Sequence, residues 1–271
     1  MKGKISVLMG VYNCAETLIG AVQSIQNQTY PNWELILCDD GSSDETFDLC
    51  RRMAQEDSRI ILLKNERNLG LNKTLNRCLS AATGEFVARM DGDDESLPQR
   101  FEQQIAFLTA HPEFQIVSSP MILFDETGEW GQTHVPEFPR AEDIVAGTAI
   151  NHAPVMVRKT ALDTVGGYSE EKHTLRVEDV DLWIRLYGAG FRCHNIQQPL
   201  YRMRNDRNAL ARRKYRYRIN SVRVRLRGCK QLSLGPKSCL KALKPMLHGL
   251  VPAKIRSKIR KIQGKSKDER N

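Results

Sequence analysis

Glu85-Phe86-Val87-Ala88-Arg89-Met90-Asp91-Gly92-Asp93-Asp94 runs a short apolar stretch straight into three carboxylates. Aromatic and β-branched residues stopped by Gly and Asp read as a strand ending in a turn. Carboxylates two residues apart at a strand end can both reach one hard divalent cation if the chain bends between them, and Gly92 permits a bend. The plainer alternative is a solvated acidic turn capping a helix that begins near Pro98. D-x-D by itself does not separate the two.

Upstream, the same strand, loop and helix order repeats. Ile5–Met9 is an apolar run followed by the loop Gly10–Asn13 and a helical pattern from Ala15, with Leu18, Val22 and Ile25 about one turn apart. Trp33–Cys38 is a second strand, stopped by Asp39-Asp40-Gly41-Ser42-Ser43. Asp44 or Ser43 can cap the helix that runs to Glu56. Ile60–Leu63 is a third strand, and a helix from Leu71 to Ala82 takes Gly84 as its C-terminal cap. Strict alternation indicates a mainly parallel sheet with helices on both faces. Ligands of such sheets sit beyond the carboxyl ends of the strands. Gly10–Asn13, Asp39–Ser43 and Asp91–Asp94 all fall there, where a nucleotide-type ligand binds.

Downstream the spacing predicts a helix over 98–110, a strand at 115–119, a hairpin at 125–128, a strand at 155–157 and a turn at 165–168. Glu178 to Tyr187 has helical periodicity, with Val180, Trp183, Ile184 and Tyr187 on one side. Glu178-Asp179 opens that helix, as a general base or as acids complementing the helix dipole. Asp39-Asp40 likewise reads as a base- or ribose-binding pair or as an ordinary Asx turn.

The chain has 271 residues and a net charge of +9, unevenly divided. Residues 202–271 carry 23 Lys and Arg against 3 Asp and Glu, a net of +20; residues 1–201 carry 18 against 29, a net of −11. An acidic body with a basic tail suggests a catalytic module attached electrostatically to something anionic. Seven Cys without a C-x-x-C pair point to reduced thiols rather than disulfides or structural zinc. No run approaches the length of a membrane span, and the N-terminus lacks a signal-peptide pattern, so a cytoplasmic location is expected.

Taken together, these stretches resemble the family 2 glycosyltransferases, whose fold is GT-A. The resemblance is carried by Ser6–Asn13, Ser24–Tyr30, Cys38–Asp44, Asn68–Leu71, Gly84–Val87, Arg89–Asp94, Gly166–Tyr168 and Glu178–Arg185, in the family's order over residues 4–204. It implies a Rossmann-like mixed sheet flanked by helices. Residues 1–204 would form the glycosyltransferase domain, with 1–97 as the nucleotide-sugar half and 98–204 as the acceptor half. Residues 205–271 would form a basic, partly amphipathic helical tail.

The resemblance also implies roles. Val11, Tyr12 and Asn13 with Asp40, and Asp39 beside it, would hold the uracil and ribose of a UDP-sugar. Asp91 would contact the ribose or the metal-bound diphosphate, and Asp93 would ligate Mn2+ or Mg2+. Glu178 or Asp179 would be the acceptor-side base, with Asp179 favoured as the second acid of the pair. His152 and Trp183 would stand on the acceptor side, and Arg204 or Arg207 could reach the diphosphate. The absence of a Q-x-x-R-W motif argues for one sugar per encounter. The acceptor would be lipid-linked or an oligosaccharide, in O-antigen, capsule or exopolysaccharide synthesis. The tail would rest on the anionic inner face of the membrane: residues 207–228 and 237–254 mix basic with aliphatic and aromatic residues. Alternatively, it is a basic helix packed on the acidic body.

Rival classes fare worse. A nucleotidyltransferase needs a basic phosphate loop after strand one, and Gly10–Cys14 has no Lys or Arg. No G-x-G-x-x-G follows a strand, which disfavours a dehydrogenase. A nucleic-acid-binding role would rest on the tail alone.

Overall fold

A computed structural model describes residues 3–147, 149–205, 215–244 and 246. At its centre β1 (Ile5–Val11) pairs in parallel with β2 (Trp33–Asp39) on one side and β4 (Phe86–Arg89) on the other. β3 (Ile60–Lys64) lies parallel to β2 and ends the sheet there. Beyond β4 come β9 (Met156–Arg158), antiparallel to both its neighbours, then β6 (Ile116–Ser118) and β10 (Cys193–Asn195). The seven-stranded sheet is therefore mixed, with its parallel half built from the four strands whose apolar runs are plainest in the sequence.

The pleat sends alternate β1 residues to opposite layers. Ile5, Val7 and Met9 pack with Leu18, Val22 and Ile25 of α1 (Ala15–Gln26) and with Phe101 and Leu108 of α4 (Arg100–Ala110). α2 (Thr46–Glu56) adds Cys50 to that layer. Leu8 faces the other layer, against Leu75 and Leu79 of α3 (Leu71–Ala81). That layer continues through α5 (Ala141–Ala146), α6 (Lys159–Val165) and α7 (Glu178–Gly188). All seven cysteines are free thiols.

A second, four-stranded sheet has the order β5 (Glu95–Ser96), β11 (Tyr201–Arg204), β7 (Met121–Asp125), β8 (Gly128–Gln132). β7 and β8 form the expected hairpin at 125–128. β11 runs parallel to β7 and antiparallel to β5, so a strand from late in the chain returns beside Asp91–Asp94.

Local details differ from the sequence reading. α4 starts at Arg100 rather than Pro98. Asp44 takes the N–H of Thr46 (3.0 Å) but also that of Ala15 (3.3 Å), so one carboxylate serves the start of two helices. Gly84 is not a left-handed cap; a Cβ there would meet Lys4 O at 2.7 Å. Gly92 has no positive φ, and its need is space: a Cβ would stand 2.9 Å from Val11 Cγ1. Gly166 and Gly167 do adopt left-handed φ values of 72° and 68°, which lets α6 stop and the chain turn into Tyr168.

The first part of the basic tail is folded onto the body. α8 (Tyr215–Gln231) buries Ser221, Val224, Arg225, Gly228 and Cys229, and α9 (Pro236–Ala242) buries Ser238 and Ala242. A Cβ on Gly228 would lie 2.4 Å from Ile184 Cδ1, so α8 crosses α7 at close range. Much of the apolar surface of α8 is thus spent on protein, while Tyr215 and Leu226 stay exposed. Its basic side remains in water, with Arg216, Arg223 and Lys230 exposed, and α9 exposes Lys237 and Lys241. The basic and apolar residues noted at 207–214 and 247–254 lie outside the described residues. No helix among the described residues is long and apolar enough to cross a membrane.

Candidate active site

A cleft of about 560 Å³ opens at the carboxyl ends of β1 and β4. Its walls are the loop from Gly10 to Thr17, the turn Asp91–Asp93, and Arg204 at the end of β11. The β1 loop is held by the β2 loop. Asn13 adopts a left-handed φ of 47°, which Asn tolerates better than most residues. Its N–H donates to Ser42 Oγ (3.0 Å), and its Oδ1 accepts from Ser43 N (2.9 Å). Tyr12 projects beside it, 47% exposed, a ring available for stacking. Burial pushes the Cys14 thiol up to about 11, so it stays protonated and is no nucleophile.

The acidic turn has internal order. Arg89 grips Asp91 with both Nη atoms, at 2.7 and 2.5 Å. Residues two apart on a strand share a face, so this pair follows directly from the strand geometry. Burial works against the Arg89 charge, but Asp91 outweighs it and holds the guanidinium above its ordinary value. Arg100 lies fully buried beneath, its Nη2 donating to Arg89 O (2.9 Å) and Val155 O (3.2 Å). It fixes the end of β4 from behind. Burial lowers its pKa to about 10.

Asp93 is different. Burial first, and then the neighbouring Asp91 charge, raise its pKa. Among the described residues no cation pairs with it, and Arg204 acts only at a distance. Asp94 is buried and also raised, by burial and by Asp91 and Asp93, although its Oδ1 accepts from Arg204 N (2.8 Å). Asp93 and Asp94 are thus short of positive charge, whereas Asp91 has the Arg89 guanidinium. No cluster of three or more His, Cys, Asp or Glu forms a ready metal site among the described residues. A hard divalent cation held by Asp93 with Asp91, and completed by oxygens of a phosphorylated ligand, fits this donor set.

Asp39 and Asp40 lie behind the cleft instead of lining it. Asp40 accepts from Asn65 Nδ2 (2.8 Å), Leu69 N (2.8 Å) and Gly70 N (2.9 Å), so its carboxylate caps α3 from a distance. The structure gives Asp40 a local task that the sequence reading did not include. Among the described residues the carboxylate of Asp39, the register partner of Val11, accepts from the Ser42 N–H, at 3.3 Å to each oxygen.

The acid pair opens α7 on the far side of β4. Burial, then Asp179, raise the Glu178 carboxyl. Asp179 Oδ1 accepts from Val180 N (2.8 Å). Tyr168 joins the two acidic centres: its hydroxyl, raised by burial, stands in the field of Arg89, Glu178, Asp91 and Asp179. It also lies 2.9 Å from His152 Nε2. Burial and then the Arg89 charge depress the His152 pKa well below the ordinary range, so the ring is neutral. Trp183 meets His152 edge-on at 5.8 Å but is 2% exposed, which makes it core backing for the wall rather than a contact surface. The cleft therefore unites Val11, Tyr12, Asn13, Asp91 and Asp93, while Glu178, Asp179 and His152 gather around Tyr168. Sequence reasoning gave no role to Tyr168, Arg89 or Arg100, although Tyr168 and Arg89 stand in the stretches Gly166–Tyr168 and Arg89–Asp94 and the i, i+2 spacing of Arg89 and Asp91 offered a signal.

A mixed sheet in this order, with an acidic turn at the carboxyl end of its parallel half, defines a transferase of the GT-A architecture. The family model described as Glycosyl transferase family 2 matches residues 6–166, and the chain belongs to that family. It is 41% identical over 259 residues to EpsE of Bacillus subtilis (strain 168), covering 95% of this chain and 93% of that protein. It is 30% identical over 191 residues to the Escherichia coli UDP-Glc:α-D-GlcNAc-diphosphoundecaprenol β-1,3-glucosyltransferase WfaP, covering 70% of this chain and 73% of that one. The crystal structure of S. aureus TarS 1–349 in complex with UDP shares the fold, with a TM-score of 0.70 at 18% identity, covering 89% of this chain and 69% of that one. The chain is a glycosyltransferase.

Proposed function

We propose that this enzyme transfers one hexose from UDP-Glc, UDP-Gal or UDP-GlcNAc, with inversion and with the help of a divalent cation, to a lipid-diphosphate-linked sugar. The setting is the assembly of a bacterial surface polysaccharide. The observation that carries the reading is the cleft of about 560 Å³ lined by exposed Tyr12, by Asp91 in its pair with Arg89 and by Asp93, which no cation among the described residues compensates. That volume suits a nucleoside diphosphate sugar. The resemblance to WfaP, whose name specifies UDP-Glc and a diphosphoundecaprenol-linked acceptor, supports both substrate classes.

In this reading Tyr12 stacks on the uracil. Arg204, at the rim of the cleft, faces the diphosphate. Asp93 with Asp91 would hold Mn2+ or Mg2+, which when bound stabilises charge on the leaving diphosphate. Asp179 takes the proton of the acceptor hydroxyl as it attacks the anomeric carbon from the face opposite UDP. An α-linked donor then gives a β-linked product. A positioned base contributes roughly 10²–10⁴-fold.

The exposed basic side of α8 and α9 would dock on the anionic cytoplasmic face of the membrane, where a lipid-linked acceptor resides. The test of the enzymatic reading is UDP release from the three UDP-sugars with manganese, with and without GlcNAc-diphospho-lipid. Acceptor-stimulated release that Asp179→Asn abolishes and Glu178→Gln only reduces supports it. The reverse ranking moves the base to Glu178, and no release from any of the three refutes the donor class.

A further inference from the structure

The three carboxyls of the acidic turn have different neighbours. Asp94 is buried, accepts from Arg204 N and does not line the cleft. Asp93 lines the cleft and meets no cation among the described residues. Asp91 lines it too, but both its oxygens are engaged, Oδ2 by Arg89 Nη1 (2.7 Å) and Oδ1 by Arg89 Nη2 (2.5 Å). Arg89 is the last residue of β4, and its backbone is fastened on both sides: its N–H donates to Val155 O (3.1 Å), and its carbonyl accepts from Arg100 Nη2 (2.9 Å). The Arg89 side chain is 8% exposed against 29% for Asp91, so the guanidinium lies under the carboxylate and leaves its cleft side open. Arg89 Nε is buried without a hydrogen-bond partner among the described residues, a departure of the kind that functional sites tolerate.

We propose that Arg89 is a positioning residue for Asp91: it withholds this carboxylate from a free divalent cation and reserves it for one already bound to a nucleoside diphosphate. The proposal rests on the reading of the cleft as a nucleotide and cation site. Toward a bare dication the guanidinium cancels the charge of Asp91, which leaves Asp93 as the one free carboxylate of the turn. Hard cations are commonly held by one or two carboxylates together with substrate phosphates. A diphosphate brings negative charge of its own, so the guanidinium no longer opposes the complex. An ionised carboxylate has about four lone-pair sites, and the Arg89 grip uses two, so Asp91 still has acceptor capacity for that complex.

The experiment titrates wild type, Arg89→Met, Arg89→Lys and the double variant Arg89→Met/Asp91→Asn with Mn2+ alone, followed by electron paramagnetic resonance, and with UDP at saturating Mn2+, followed by calorimetry. Arg89→Met frees Asp91 beside Asp93, so affinity for Mn2+ alone rises about tenfold. Affinity for UDP falls about tenfold, because Asp91 is no longer held in place. A variant that had merely lost structure would weaken in both titrations. Arg89→Lys keeps the charge without the two-point grip: Mn2+ alone stays within about threefold of wild type, and UDP weakens severalfold. The double variant has the net charge of wild type and no carboxylate to release, so its affinity for Mn2+ alone also stays within about threefold. No rise in Arg89→Met, or a tenfold change of either sign in the double variant, overturns the proposal. Should Arg89→Met not fold, the double variant, from which both partners of the pair are gone, decides alone. If wild type binds no UDP with Mn2+, the nucleotide reading fails, and the titrations with Mn2+ alone still decide whether Arg89 withholds Asp91.

Discussion

Replacing Asp40 with Ala removes a carboxylate, 4% exposed, that accepts three hydrogen bonds of 2.8–2.9 Å from Asn65, Leu69 and Gly70. Gly70 is the residue before α3 and offers no side-chain cap of its own. Asp40 therefore satisfies two backbone N–H groups that would otherwise be orphaned at that helix start. Hydrogen bonds to a charged group contribute about 1.5–3 kcal/mol each. Water entering the vacated space recovers part of that, so the net loss is about 3–4 kcal/mol, a sizeable share of the ~5–15 kcal/mol that holds most domains folded. At roughly 2–4 °C per kcal/mol for a chain of this size, the melting temperature falls by about 10 °C. Thermal unfolding by circular dichroism measures this, and calorimetric titration with UDP and manganese well below the transition measures binding separately. If Asp40→Ala melts within about 2 °C of wild type yet loses UDP affinity, the carboxylate reads the nucleotide and the capping account is wrong.

Further outcomes are expected. Asp93→Ala abolishes manganese-dependent UDP binding with little change in far-UV circular dichroism; unchanged manganese dependence would exclude Asp93 as a ligand. Glu178 has a folded-state pKa above its ordinary 4.5, so the folded form binds the proton more tightly and its ionisation costs stability as pH rises through that window. Glu178→Gln therefore melts higher than wild type at pH 7–8, and the gain vanishes below about pH 4; a gain that persists in acid would contradict the burial argument. Gly228→Ala drives a methyl to within 2.4 Å of Ile184 Cδ1 and lowers stability by ~1–3 kcal/mol despite the better helix former; a rise in melting temperature would mean α8 is not docked. Charge reversal at Arg223, Lys230, Lys237 and Lys241 eliminates cosedimentation with anionic vesicles while leaving the fold intact, and undiminished binding removes those residues from the membrane face.

The parallel half was legible because buried parallel strands are continuous apolar runs, and Ile5–Val11 and Trp33–Asp39 are buried along nearly their whole length. The acidic turn was legible for the same reason, since a carboxylate cluster directly after such a run can only stand at its end. The short strands β5, β10 and β11 carry two to four residues each and no period to detect. Arg100 illustrates a deeper limit. An arginine reads as solvent-facing, and only the carbonyls of Arg89 and Val155 meeting in space explain its burial. Asp39 and Asp40 are indistinguishable as letters; the path of residues 65–70 decides which one is engaged. The tail shows the same ambiguity in apolar form, because an amphipathic helix has one signature whether a bilayer or α7 covers it.

The return of β11 to the acidic turn also sets an order of assembly. Arg204 N reaches Asp94 Oδ1, and Asp91 N reaches Tyr201 OH, each across 110 residues of chain, while Arg202 meets Glu95 across 107. Contacts so distant in sequence close late, after the entropy of a long loop has been overcome. β1 to β4 can associate while the ribosome is still making the second half. The carboxylate turn gains its final supports only after Arg204 has emerged, roughly 6–23 seconds later at ~5–20 residues per second. The nascent chain thus holds its Rossmann-like half well before it holds a finished cleft, and activity appears as one of the last properties of folding.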